Sequence, residues 1–302
     1  MNEPLLSICI PTFNRANYLK DCLNSIVYQF KDKHIFDQVE VVISDNASAD
    51  NTTEIVTKFQ SEYKNIKYFK NDTNLGVDRN ILNIVEKSTG KYCLTIGDDD
   101  GFSPESLSFV IDKIKTLNVP YYMINSWGYD HELDLPVVSH PNIEVTEDIF
   151  YRSLSDHVQT IKKYTDLVGA FCGLSHIFDR KAWMDFNEKE KYIGTNAIHY
   201  FILLSIFKDS TCTFLAKPII KTRSSNIRWG VFPGLGTIQG RITSTIKLVK
   251  WVKDKFNLPI SNIKINLYFY SREYWFTFKE IIKKLLSNLG LEKIITIYRK
   301  IR

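Results

Sequence analysis

Residues 91–105, KYCLTIGDDDGFSPE, run a short apolar segment straight into three consecutive carboxylates, Asp98, Asp99 and Asp100. KYCLTIG has the length and the β-branched and aromatic content of a buried strand, and Pro104 with Glu105 marks the start of a following helix. Like charges stacked at the mouth of a buried strand repel one another unless a cation stands between them, and a divalent metal is the usual partner. On extended backbone, positions i and i+2 project to one side, which sends Asp98 and Asp100 toward a common ion and Asp99 elsewhere. Magnesium or manganese takes hard oxygen ligands and keeps positions open for phosphates, so either suits one or two carboxylates plus a diphosphate. A solvated acidic turn capping the next helix is the plainer alternative.

Working outward, the same alternation of strand and helix fills the first half of the chain. LLSICIP (5–11) reads as a buried strand, after which Leu19, Cys22, Leu23, Ile26, Val27 and Phe30 recur at helical spacing, with Asn14 or Asn17 as an N-cap. VEVVIS (39–44) is a second strand, and the Ser and Asp residues of DNASADN suit the helix start behind it. IKYF (66–69), a helix over about 77–88 and the strand at 91–97 continue the rhythm. Repeated β-α units predict an α/β fold with a mostly parallel sheet flanked by helices, whose ligand site lies beyond the carboxyl ends of the strands. Polar residues follow four strands in turn: Thr12 and Asn14, then Asp45 and Asn46, then Asn74 and Gly76, then Asp98 to Asp100.

Asp45, directly behind VEVVIS, can accept hydrogen bonds from a base N–H or from ribose hydroxyls. Turn chemistry is its alternative, and for Asn46, Ser48 and Asp50 a loop or cap role is the better reading. NLGVDRN (74–80) offers a glycine, amides and a cation beside a helix start, and the forked guanidinium of Arg79 matches phosphate oxygens. Beyond residue 120, YYMINSWGYD (121–130) reads as a further strand, and residues 130–165 are polar and unassigned.

Four of these segments, PTFNR (11–15), SDNASAD (44–50), NLGVDRN (74–80) and GDDD (97–100), resemble in order and spacing the motifs of family 2 glycosyltransferases, which have the GT-A nucleotide-sugar fold. The resemblance covers roughly the first 120 residues, and the later segments resemble the O-antigen branch that includes abequosyltransferases. It implies a sugar transferase using a nucleotide-sugar donor and Mn2+ or Mg2+, with inversion at the anomeric carbon by single displacement. Pro11, Thr12 and Asp45 would line the nucleoside pocket. Asn14, Asn74, Gly76, Arg79, Asp98 and Asp99 complete the candidate donor-binding set; Asp98 and Asp100 would be metal ligands in the family's D-x-D, and Asp100 a catalytic residue.

One departure from the family pattern concerns the base. Family members commonly carry an E-D pair some ninety residues after the D-x-D, whereas IGTNAIHYFILL (193–204) holds no carboxylate. His199 is the titratable residue there, and an imidazole suits proton abstraction near neutral pH; a buried histidine on an amphipathic helix is the plainer reading. Glu188 and Glu190 are second choices. Arg223 in KTRSSN and Trp229 in RWGVFPG are candidates to close over donor or acceptor, with a loop as the plainer assignment. A nucleotide-sugar-binding subunit without catalysis is the rival function. Phosphatases of the haloacid dehalogenase type also use D-x-D, but behind their first strand and followed by x-Thr or x-Val, where this chain has Phe102.

Charge divides the chain unevenly. Residues 241–302 hold 14 Lys and Arg against 4 Asp and Glu, while the first 240 hold 25 against 30. The tail sets apolar residues (Ile242, Ile246 and Val249, then Trp275, Phe278, Ile281, Ile282, Leu285, Leu286 and Leu289) between lysines at helical spacing, as interfacial helices do, with a helical subdomain that packs this stripe against the sheet as the plainer alternative. The expected organisation is a nucleotide-sugar-binding half over 1–120, an acceptor-binding half over 121–240 and a basic amphipathic extension over 241–302. An anionic membrane surface and a lipid-linked saccharide acceptor are the expected partners, and nucleic acid is disfavoured by the net acidic first 240 residues. The N-terminus has no basic leader, no apolar run is long enough to span a bilayer, and the five scattered cysteines read as reduced thiols. The expected location is cytoplasmic, peripheral at the inner face of the membrane.

Overall fold

A computed structural model describes residues 3–139, 141–160, 175–223 and 238–258, with side chains in the last stretch from residue 246. Trp229, Cys172 and the apolar positions 275–289 lie outside the described residues. The chain divides into two compact units, Met1–Trp229 and Gly230–Arg302.

In the first unit the β-α rhythm stands as β1 (Leu6–Thr12), α1 (Ala16–Val27), α2 (Lys33–Gln38), β2 (Val39–Asp45), α3 (Thr52–Glu62), β3 (Ile66–Lys70), α4 (Val77–Lys87) and β4 (Tyr92–Thr95). The four strands pair in parallel in the order β3-β2-β1-β4. β1, β2 and β4 are buried almost throughout, which accounts for their continuous apolar runs. Helix α1 turns Leu19, Cys22, Leu23 and Ile26 into the core, and each buried Leu or Ile contributes about 1.5–3 kcal/mol relative to exposure. Pro11 fits in β1 because β4 leaves the ladder after Thr95, opposite Cys9, so its missing N–H breaks no β1–β4 pairing.

The second half of the sheet is mixed. β5 (Gly101–Phe102), α5 (Ser106–Leu117), β6 (Tyr121–Tyr129), β7 (Ile149–Tyr151), α6 (Leu154–Thr160), β8 (His176–Asp179), α7 (Arg180–Asp185), α8 (Ile198–Ile206) and β9 (Cys212–Arg223) follow in sequence. β8 inserts antiparallel between β4 and β6, β9 runs parallel to β6, and the short β5 and β7 pair antiparallel with β9. Register between β6 and β9 slips from Ile124↔Leu215 to Ser126↔Ile220, a bulge that carries Pro218 and leads β9 on to Arg223. The polar segment 130–165 therefore contains β7 and α6, neither of which its composition announces.

The end of the sheet remote from the four motifs is tied by Glu40, whose carboxylate accepts from Ser7 Oγ (2.5 Å), Thr89 N (2.6 Å), Gly90 N (3.2 Å) and Thr89 Oγ1 (2.9 Å) and pairs with Lys67 Nζ (2.5 Å). Burial alone would raise its pKa, but the bonds from Lys67, Ser7 and Thr89 outweigh it and hold the group below the usual carboxylate range. Gly90 has no room for a side chain there, since a Cβ would meet Ser7 N at 2.8 Å. Cys9, Cys22, Cys93 and Cys212 are free and buried as packing residues.

In the second unit, α9 (Ile238–Lys255) occupies the stretch where Ile242, Ile246 and Val249 predict a helix. Ile246, Leu248, Val249, Val252 and Phe256 are buried. Among the described residues no helix is long and apolar enough to cross a membrane.

Candidate active site

The strand-end residues do meet, and they begin at the acidic triplet. β4 ends at Thr95, and the chain then turns, with Asp100 N donating to Gly97 O at 3.3 Å before β5 begins. Extended-strand alternation therefore does not govern the three aspartates: Asp98 and Asp99 lean to one cation, Arg15, and Asp100 to the end of β9. Arg15 Nη1 stands 3.1 Å from Asp98 Oδ1, and Nη2 stands 2.6 Å from Asp99 Oδ2. Thr12 Oγ1 donates to Asp98 Oδ2 at 2.7 Å, joining the ends of β1 and β4. Gly97 is confined by its own neighbours, since a Cβ would sit 2.8 Å from Asp99 Oδ1.

Arg223 completes the cluster and overturns its reading as a loop residue. As the last residue of β9 it is buried; its backbone N–H donates to Asp100 Oδ1 (3.1 Å), its Nε to Asp99 O (2.9 Å) and its Nη2 to Asp21 Oδ2 (3.0 Å). Arg15 and Arg223 each lie 5.0 Å from the ring centroid of Tyr18. In sequence Arg223 is a candidate with a loop as the plainer assignment, and the structure makes it a strand end; Arg15, which closes the PTFNR motif, is not singled out there as a site residue.

Asp98 is 3% exposed, and burial first, then the charge of Asp99, raises its pKa to about 7 against the pull of Arg15 and Thr12. Asp100 is also pushed well up, by burial and by Asp99. The buried carboxylates of Asp98 and Asp99 thus share the one guanidinium of Arg15, Asp100 has the backbone N–H of Arg223, and the Arg223 guanidinium is taken up by the Asp99 carbonyl and the half-exposed Asp21. Among the described residues no three His, Cys, Asp or Glu side chains are arranged to hold a metal ion by themselves. The donor chemistry nonetheless fits a hard divalent cation that takes one or two carboxylates and completes its shell with phosphate oxygens and water.

At the end of β2, Asp45 is fully buried, accepting Ser48 N (2.8 Å) on one oxygen and Tyr68 Oη (2.6 Å) on the other. Burial and this bond raise the Tyr68 phenol, keeping it a donor. Tyr68 lies within IKYF, and nothing in that apolar alternation signals its role. Asn14, at φ 53, accepts Ala49 N (2.7 Å), while its own N–H donates to Ser48 Oγ (2.8 Å). The start of α1 is capped by Asp50, which accepts Ala16 N at 3.0 Å, rather than by Asn14 or Asn17. Asn46 Nδ2 donates to Asn74 Oδ1 (2.7 Å) and Gly76 O (3.3 Å), so the second and third motifs are bonded to each other. Asn80 adds a second tie, accepting Ser44 Oγ at 2.7 Å.

Arg79 is exposed and pairs with Glu190 at 3.3 Å. His199 sits on α8 at 5% exposure, its ring centroid 4.0 Å from that of Tyr200, and none of the bonds described above joins it to the aspartate cluster. Glu188 pairs with Lys191 at the surface. Sequence reasoning also passed over Asp78, buried in the first turn of α4, which accepts three backbone N–H groups from residues 194–198.

This arrangement can be set beside known proteins. The sequence model described as Glycosyl transferase family 2 matches residues 7–183. Over 265 residues the chain is 31% identical to abequosyltransferase RfbV of Salmonella typhimurium, covering 85% of this chain and 77% of that one. Over 112 residues it is 34% identical to the GalNAc(5)-diNAcBac-PP-undecaprenol beta-1,3-glucosyltransferase of Campylobacter jejuni, covering 36% of this chain and 34% of that one. Among solved structures, S. aureus TarS 1-349 in complex with UDP-GlcNAc superposes with a TM-score of 0.60 at 16% identity, covering 86% of this chain and 69% of that one. Mannosyltransferase PcManGT from Pyrobaculum calidifontis, in complex with GDP-Man and Mn2+, gives 0.52 at 14% identity, covering 89% and 70%. The chain belongs to glycosyl transferase family 2, and its sheet and helices are those of the GT-A fold.

Proposed function

We propose that this transferase moves a sugar from a nucleotide-sugar donor to a hydroxyl of a lipid-linked saccharide, in the assembly of a surface polysaccharide of the O-antigen kind. The observation that carries the reading is the bond from Thr12 Oγ1 to Asp98 Oδ2 at 2.7 Å, with Arg15 spanning Asp98 and Asp99 beside it. These contacts gather the ends of two strands into one buried acidic cluster at the carboxyl edge of a parallel sheet, where such folds bind nucleotides. The similarity to an abequosyltransferase and to an undecaprenol-linked glucosyltransferase supports the substrate class.

In this reading Pro11, Thr12, Asn14, Asp45, Asn74 and Gly76 form the nucleoside side of the donor site. Arg79 exchanges Glu190 for a diphosphate oxygen, and Asp99 keeps Arg15 oriented beside the phosphates. Asp98 and Asp100 would hold Mn2+ or Mg2+, which when bound neutralises charge growing on the departing nucleoside diphosphate. His199, the titratable side chain of the 193–204 segment, takes the role of base toward the acceptor hydroxyl, and attack from the opposite face inverts the anomeric carbon.

The test is a panel of nucleotide sugars scored with Mn2+ for thermal stabilisation and for transfer. One donor should raise the melting temperature selectively, and Asp98→Ala or Asp100→Ala should abolish both transfer and the metal-dependent part of that rise. Near-normal turnover in both variants would remove the metal assignment. For His199→Ala, turnover should collapse while donor affinity stays. The burial of His199 and the absence of a carboxylate in 193–204 favour a second reading, a non-catalytic nucleotide-sugar-binding subunit, and metal-dependent donor binding without turnover would select it.

A further inference from the structure

The first turn of α4 faces two ways. Toward the donor side, Asn80 is bonded to Ser44 (2.7 Å) and Gly76 O accepts from Asn46 (3.3 Å), the residues on either side of Asp45. Toward the other side, Asp78, 4% exposed, accepts Gly194 N (2.8 Å) and Asn196 N (2.9 Å) on Oδ2 and Ile198 N (3.3 Å) on Oδ1. The segment it grips has bonds of its own around Thr195, to Tyr192 O (3.2 and 2.7 Å) and from Ala197 N (3.3 Å), but two of its residues stand in left-handed backbone. Gly194 and Asn196 both have positive φ, 85 and 55, and Ala197, the N-cap of α8, has no side-chain acceptor to offer the helix's free amides. Asp78 supplies that acceptor to Ile198 N from 120 residues away in the chain and binds Gly194 N and Asn196 N just ahead of the helix, so its carboxylate stands at the positive end of α8. At the surface Arg79 adds a second link to the same region through Glu190.

We infer that Asp78 is a positioning residue for transfer: by clamping 194–198 to the helix that borders the donor site, it sets where α8 and the acceptor-side groups on it stand relative to a bound donor. The inference rests on the proposed function, since it takes the 193–204 segment as the acceptor side. Small displacements of a reacting group from its productive position are enough to cost roughly a hundredfold in rate. A clamp of this kind therefore belongs to turnover more than to donor binding, which has its own anchors in Asp45 and the aspartate cluster.

Asp78→Asn retains the size of the side chain but replaces one acceptor oxygen with a donor NH2 group, so it cannot hold all three amides. In the full-length protein, turnover of this variant should fall roughly 10- to 100-fold with donor KM essentially unchanged, and hydrogen exchange at residues 194–198 should speed up while the rest of the sheet keeps its protection. Gly194→Ala disturbs the same segment from its other side, because Ala at φ 85 is strained although nothing crowds its Cβ, and it should show the same split between turnover and donor KM. Asp78→Glu, which keeps the charge and both acceptors, should recover part of the loss. Normal turnover in Asp78→Asn with accelerated exchange overturns the inference, as does a loss in which donor KM rises in step with the fall in turnover for both Asp78→Asn and Gly194→Ala. A wild-type chain inert toward every donor overturns the functional reading and this inference together, and is recognised because it is seen before any substitution is made.

Discussion

Arg15 shows how much of the site a single side chain carries. Its guanidinium is the direct partner of both Asp98 and Asp99, so Arg15→Ala would leave two buried carboxylates without their main counter-charge. Breaking a buried pair from one side costs about 3 kcal/mol or more. Urea unfolding of the metal-free variant should show that loss, and Mn2+ should restore a larger share of stability to the variant than to the parent, because the ion then supplies the missing positive charge. Equal stability of the two chains without metal would mean that the cluster is not electrostatically short of cations. Asp45 and the triplet Asp98 to Asp100 stand out in sequence as candidates because each group comes at the end of an apolar run with the length and residue types of a buried strand. Tyr68 does not, and Arg223 is a candidate without its strand position or its partner, since the groups they bond lie 23 and 124 residues away and local pattern carries no information about such contacts.

Elements were legible where their period is strong. β1, α1, β2, α3, β3, α4, β4 and α5 follow the apolar spacing, but β8, a four-residue strand placed antiparallel between β4 and β6, cannot be ordered from periodicity because pairing partners are set by tertiary packing. Its insertion buries His176, whose Nδ1 lies 2.8 Å from Tyr121 Oη and whose pKa burial lowers to about 3. The folded-state value is depressed below that of the unfolded chain, about 6.5. Between those two values the unfolded chain takes up a proton that the native strand refuses, so stability is lost as pH falls, by up to about 1.4 kcal/mol per pH unit from this group. His176→Asn keeps a polar atom near Tyr121 and removes the titration. Denaturant midpoints measured from pH 6.5 to 4.5 should therefore fall less steeply in the variant, by close to one proton's worth of slope, and parallel curves would show that His176 is protonated within the fold.

At the scale of the whole molecule, charge is divided unevenly between two regions of the chain, and the proposed membrane partner rests on that division. The net acidic first 240 residues hold the aspartate cluster, and an acidic surface near a bilayer rich in anionic lipid needs a compensating attraction to stay there. Residues 241–302, with 14 basic against 4 acidic side chains, would supply one if the chain works on a lipid-linked acceptor at such a surface. Each Lys or Arg near an anionic leaflet contributes about 1 kcal/mol, screened within a Debye length of roughly 8–10 Å at physiological salt. The full-length protein should therefore sediment with vesicles containing phosphatidylglycerol, not with pure phosphatidylcholine, and should be released as sodium chloride is raised toward about 0.5 M. Replacing Lys283, Lys284, Lys293 and Lys300 with Gln should weaken partitioning by roughly two to three orders of magnitude, while donor binding and transfer to a water-soluble acceptor stay at the parental level. Vesicle binding that survives both high salt and the fourfold substitution would mean that apolar contact, rather than charge, holds this chain to lipid. Loss of transfer to the soluble acceptor would instead assign those lysines to the catalytic unit.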